Sequence, residues 1–188
     1  MEELSDVISE ATSRIEGKYI NFPLDGGMPI YRERVYCYEL YHHMRSVWPE
    51  GCEFTLNGEV DKRAHPILKN MDISQSPDLL IHKPGLMAGN HCVVEVKPAQ
   101  SQSSGIVKDL ETLSKFVKSA GYGRAILFIY GHAERSQIDR VQLLYDSLER
   151  PAEIELWLHE RAGSSARQVD LLLPNDPRVR ARQTRAGQ

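Results

Sequence analysis

PDLLIHKPGLMAGNHCVVEVK, residues 77–97, decides how this chain is read. It holds two short apolar runs, LLI at 79–81 and CVVEV at 92–96, separated by a turn-rich stretch with Pro84, Gly85 and Gly89. Runs of this length, bounded by turn residues, predict two strands that pair as antiparallel neighbours. Along HCVVEVK the side chains alternate, so Val93, Glu95 and Lys97 share one face and Cys92, Val94 and Val96 the other. A glutamate and a lysine therefore project together from a strand otherwise suited to burial. Carboxylates are rarely buried unless paired or bound to metal. A salt bridge on a solvated face is the ordinary explanation of such a pair. Asp78 changes the balance: it follows Pro77 at the mouth of the preceding strand. With paired strands ~4.8 Å apart, Asp78 and Glu95 can converge on one cation. Pro77-Asp78 taken alone can equally open a turn.

Working outward, Tyr36, Leu40, Met44 and Val47 recur at helical spacing, predicting a helix over 31–47 that Pro49 and Gly51 end. Glu39 lies beside that stripe, where a glutamate is usually solvated. A short helix over 2–16 is expected upstream, then an irregular approach through Pro23, Gly26, Gly27 and Pro29. CEFTLNGEVD, 52–61, reads as a strand or as a hairpin about Asn57-Gly58. Glu59 and Asp61 share a face of it and are read as a polar outer strand face. Downstream, Ile106, Leu110, Leu113, Phe116, Val117 and Ala120 mark one face of a helix over 104–120 that Gly121 stops, with Ser103 or Ser104 as its expected cap. AILFIY, 125–130, is a continuous apolar run that suits a central strand covered on both faces. A helix over 136–148 follows, and IELWLHE, 154–160, reads as a last, edge strand. The fold class expected is α/β: a mixed sheet flanked by helices, in a single domain over 1–174, with 175–188 a basic, flexible tail.

Composition narrows the function classes. At 188 residues with 41% hydrophobic and 26% charged, the chain is long enough for one full core and short for two. No apolar run approaches a membrane span and the start, MEELSDVISE, is acidic, so a cytoplasmic protein is expected. Cys37, Cys52 and Cys92 are odd in number and lack CxxC spacing, which argues for reduced core thiols. No HExxH is present, and His42, His43, His65 and His82 read as surface or packing residues. No GxSxG appears, and the GYG at 121–123 follows a helix instead of opening one. These absences speak against zinc hydrolysis, serine nucleophiles and nucleotide hydrolysis. The net charge of −3 neither advertises nor excludes nucleic acid, because an acidic metal site offsets basic residues elsewhere.

Pro77-Asp78, sixteen intervening residues, then Glu95-Val96-Lys97 resembles the motif of the PD-(D/E)xK nuclease superfamily, and the order of elements over roughly 31–130 agrees. The glutamine-x-x-x-tyrosine motif of the RecB-like branch is not apparent. The resemblance implies a restriction-endonuclease-like fold with an αβββαβ core. It also implies a Mg²⁺- or Mn²⁺-dependent nuclease that hydrolyses phosphodiester bonds of nucleic acid, DNA being the expected substrate and restriction or anti-phage defence the setting. Carried over by residue, Asp78 and Glu95 bind the metal with the Val96 carbonyl. Lys97 orients or helps deprotonate the attacking water. Glu39, matching the glutamate that members often carry on the helix before the sheet, supports the metal shell. The rival readings are a catalytically silent nuclease-fold module that binds nucleic acid or a protein partner, and a structural subunit whose Glu95 and Lys97 form a surface ion pair. No separate DNA-reading module is apparent, so a homodimer or a larger complex is expected to supply target choice.

Overall fold

Alternation along the strands sorts the core into two layers, one on each face of a single sheet. In the computed structural model, which describes residues 3–58 and 76–174, the strands are β1 (Thr55–Gly58), β2 (Leu79–His82), β3 (Asn90–Pro98), β4 (Arg124–Tyr130), β5 (Ile154–His159) and β6 (Arg167–Leu172). They form one six-stranded sheet in chain order. β1, β2 and β3 are antiparallel, β3, β4 and β5 parallel, and β6 antiparallel to β5. The expected mixed α/β architecture is therefore present. Glu59, Asp61, His65 and the tail 175–188 lie outside the described residues.

Val94, Val96, Ile126, Phe128 and Tyr130 point to one face. There they pack under helices α1 (Leu4–Ser13) and α3 (Glu33–Ser46) through Leu4, Ile8, Tyr36, Leu40 and Met44. A one-turn helix α2 (Gly17–Ile20) and an irregular stretch closed by a Phe22–Ile30 bridge join the two helices. The odd-numbered residues Val93, Ala125, Leu127 and Ile129 point the other way, under α4 (Ser103–Ala120) and α5 (Arg135–Asp146), where Leu110, Leu113, Phe116 and Val141 fill the layer. AILFIY is buried on both faces because it has helices on both. α4 ends on Gly121 at φ 72°, a left-handed cap that glycine adopts without steric cost. Its start differs from expectation: Gln102 is the N-cap, and its side chain makes no capping hydrogen bond.

The reading of IELWLHE as the edge strand is corrected. β5 lies between β4 and β6, and its residues are nearly all buried because neighbours flank both sides. RQVDLL carries too few apolar residues to stand out, since an edge strand with one solvated face needs only Val169 and Leu172 to reach the core. Among the described residues, no helix is long and apolar enough to cross a membrane.

α3 is fastened to the sheet at the end where the parallel strands finish. The Tyr36 ring stacks on Tyr130, with centroids 3.9 Å apart and planes 6° from parallel. Its hydroxyl shares a 2.6 Å hydrogen bond with His159 Nδ1, both groups fully buried. Burial pulls the His159 pKa down to about 4, so the imidazole stays neutral. Gly131 lets this corner close: at φ 91°, a Cβ there would lie 2.5 Å from Tyr31 Cε1. Removing the hydroxyl with Tyr36→Phe leaves a buried ring nitrogen without its partner. The expected cost is about 1–3 kcal/mol, read as a lowered midpoint in chemical denaturation.

Candidate active site

Strand pairing brings the first two candidate residues together. Leu79 pairs with Val94 and Leu80 with Val93, so the ladder extended by one step sets Asp78 opposite Glu95. Directly opposed residues share a face, with Cβ atoms about 4.5–5.5 Å apart. Asp78 Oδ2 accepts a 2.7 Å hydrogen bond from the Val96 N–H. The N–H and C=O of one strand residue point to the same edge, so the Val96 carbonyl lies on the Asp78 side as well. The Asp78 charge lies close enough to Glu95 to push its carboxyl further upward.

Lys97 follows two residues on, on the same face as Glu95. Its Nζ lies 2.8 Å from Glu33 Oε1 and 3.2 Å from Asp109 Oδ2. The two partners come from opposite layers: Glu33 opens α3, and Asp109 sits in the second turn of α4. α4 passes close over the lysine, since a Cβ on Gly105 would lie 4.0 Å from Lys97 Cε. Side-chain exposure falls from 38% at Glu33 through 15% at Lys97 to 6% at Asp109, so solvent reaches the cluster from the α3 side.

Asp78, Glu95 and Lys97 thus meet as expected from their spacing, while Glu39 does not join them. Glu39 Oε1 instead pairs with His43 Nε2 at 3.1 Å, one turn further along α3. The physical reason is that α3 covers the opposite face of the sheet. Only its first turn reaches round the strand ends, and Glu39 stands about 9 Å further along the helix axis than Glu33. Glu33 and Asp109 were not singled out from sequence. A glutamate opening a helix ordinarily complements the helix dipole, and KDLETL reads as solvated helix polarity. The signal for Asp109 was its phase, because it sits next to Leu110 on the side facing the sheet.

Electrostatics set this cluster apart from an ordinary ion pair. Glu95 is only 6% exposed, which rules out a surface pair between Glu95 and Lys97. Burial, then repulsion by Asp78 and Asp109, holds the Glu95 carboxyl well above its usual range. Burial likewise raises Asp78, against the pull of the Val96 N–H and Lys97, and lifts Asp109 to about 6. Burial alone would lower the Lys97 pKa, but the Glu33 hydrogen bond and the Asp109 charge outweigh it, so the amine remains an ammonium. Four carboxyls face one cation: Asp78, Glu95, Asp109 and Glu33 against Lys97.

That surplus of oxygen and negative charge fits a hard divalent cation. Among the described residues, no three His, Cys, Asp or Glu side chains are grouped tightly enough to enclose a metal. The donor set is sparser: two carboxylates and a carbonyl on the same strand edge. It suits Mg²⁺ or Mn²⁺, since Mg²⁺ keeps several waters and takes few protein ligands.

Comparison of the chain with protein-family models, with curated proteins and with solved structures finds no match.

The raised carboxyls have a consequence for stability. The folded pKa of Glu95 lies above its ordinary 4.5, so its contribution is full below that value and is lost as pH rises toward the folded value. Glu95→Gln should therefore melt with the unmodified protein at acid pH and above it at neutral pH, the gap widening between. Thermal melts of both across that range check it. A gap that stays constant or reverses would mean that Glu95 is not held protonated by its surroundings.

Proposed function

We propose that this chain is a metal-dependent nuclease that hydrolyses phosphodiester bonds of nucleic acid, DNA being the substrate we expect, on a restriction-endonuclease-like version of the mixed α/β fold. The single observation that carries this reading is the β2–β3 register. It opposes Asp78 to Glu95, with Lys97 two residues on, in a buried cluster with more carboxylate than cation.

Asp78 and Glu95 would hold a Mg²⁺ or Mn²⁺ ion, together with the Val96 carbonyl. When bound there, a divalent cation would supply a water of lowered pKa and offset charge growing on the phosphate. The remaining chemistry belongs to the chain. Both carboxyls sit above their ordinary pKa and would have to lose protons to hold the ion, so binding is expected to strengthen as pH rises. Lys97, kept charged by Glu33 and Asp109, favours a donor over a base. Its ammonium orients the nucleophile and offers a hydrogen bond to a phosphate oxygen as negative charge develops there. Val96 fixes the Asp78 carboxylate through its N–H, which limits the reorganisation that hydrolysis would otherwise require.

Labelled single- and double-stranded DNA and RNA, incubated with the purified chain and Mg²⁺ or Mn²⁺, test the reading. Cleavage should fall by about 10²-fold or more in Lys97→Ala and disappear in Asp78→Ala, with both variants folded. If no substrate is cut and neither metal raises the melting temperature, the autonomous nuclease is wrong and a binding module takes its place.

A further inference from the structure

Asp109 is an expensive residue where it stands. It is 4% exposed, in the second turn of a helix whose neighbouring Ile106, Leu110 and Leu113 are packed in the core, so its backbone has little freedom to move. A buried carboxylate is costly unless it is paired, and the ammonium within reach of it is that of Lys97, at 3.2 Å. Glu33 holds the same ammonium at 2.8 Å, but from a helix end and with its side chain 38% exposed. The two partners are therefore unequal. Asp109 is fixed and dry, while Glu33 is wetted and able to leave at little cost, as exposed ion pairs are weak. A lysine ammonium has three donor hydrogens; releasing Glu33 frees one for an incoming anion without releasing the side chain.

We propose that Asp109 is the positioning residue for Lys97, holding its ammonium at the end of β3, and that Glu33 is an exchangeable partner whose place a phosphate group of the substrate takes. The use of the freed donor rests on the hydrolytic reading; the unequal hold on Lys97 does not.

The full-length chain tests this through the acylation rate of individual lysines with limiting acetic anhydride, read by peptide mass spectrometry, with exposed Lys108 as the internal reference. An amine reacts in proportion to its neutral fraction, and one pKa unit is tenfold. Asp109→Asn should therefore speed Lys97 labelling by about tenfold or more, and by more than Glu33→Gln does. Asp109→Glu should restore slow labelling. Where Asp109→Asn does not fold, Asp109→Ser, which also removes the charge, takes its place in the same measurement with the same faster Lys97 labelling expected. Unchanged Lys97 labelling in a folded Asp109→Asn or Asp109→Ser would overturn the proposal and leave Asp109 a structural residue. A chain that cuts no nucleic acid yet shows the expected labelling pattern loses the nuclease reading and keeps the positioning of Lys97.

Discussion

The meeting of Asp78 and Glu95 depends on the register between β2 and β3. Because side chains alternate strictly along a strand, a slip of one residue would carry Asp78 to the far face of the sheet from Glu95. The register is pinned by burial: Leu80 and Val93 belong to the α4–α5 layer, Leu79 and Val94 to the α1–α3 layer, and a slip would exchange the two sets. Hydrophobic sorting, which is non-directional on its own, thereby sets two carboxyls opposite one another on one face.

The second dependence is on where the helices end. The two layers are separated by the sheet along most of its area and come together at the ends of the parallel strands. There the first turn of α3 and the second turn of α4 both reach Lys97. The Tyr36–Tyr130 stack and the Tyr36–His159 hydrogen bond hold α3 at this place. Lys97 thus pairs with carboxyls from both layers, and its surroundings depend on the packing of each. Ligand sites of open α/β sheets gather at the strand ends for the same reason: backbone ladders stop there, and side chains from several elements are left to converge.

Much of the fold was legible from hydropathy alone. The two strands of residues 77–97, the helix over 104–120 with its glycine stop, and AILFIY as a strand covered on both faces follow from periodicity, which is a local property. Asp78, Glu95 and Lys97 were legible because strand period and a single turn-rich connection settle their relation. Glu33 and Asp109 were not, since their meeting at Lys97 depends on how two helices cross the end of the sheet, and that crossing leaves no trace in spacing. β6 was missed for a different reason: an edge strand with one solvated face is half polar, and RQVDLL has too little apolar contrast with the loop before it.

Three carboxyls sharing one small volume also shape what selection for robustness would do to this protein. Each of Asp78, Glu95 and Asp109 sits above its ordinary pKa, so each weakens the fold at neutral pH. A screen that rewards thermal tolerance alone would favour amides or apolar residues at these positions and would converge on a sturdier chain with the proposed chemistry erased. Read in reverse, a map of where this sequence gains heat resistance most easily would trace the outline of the site without any substrate in hand.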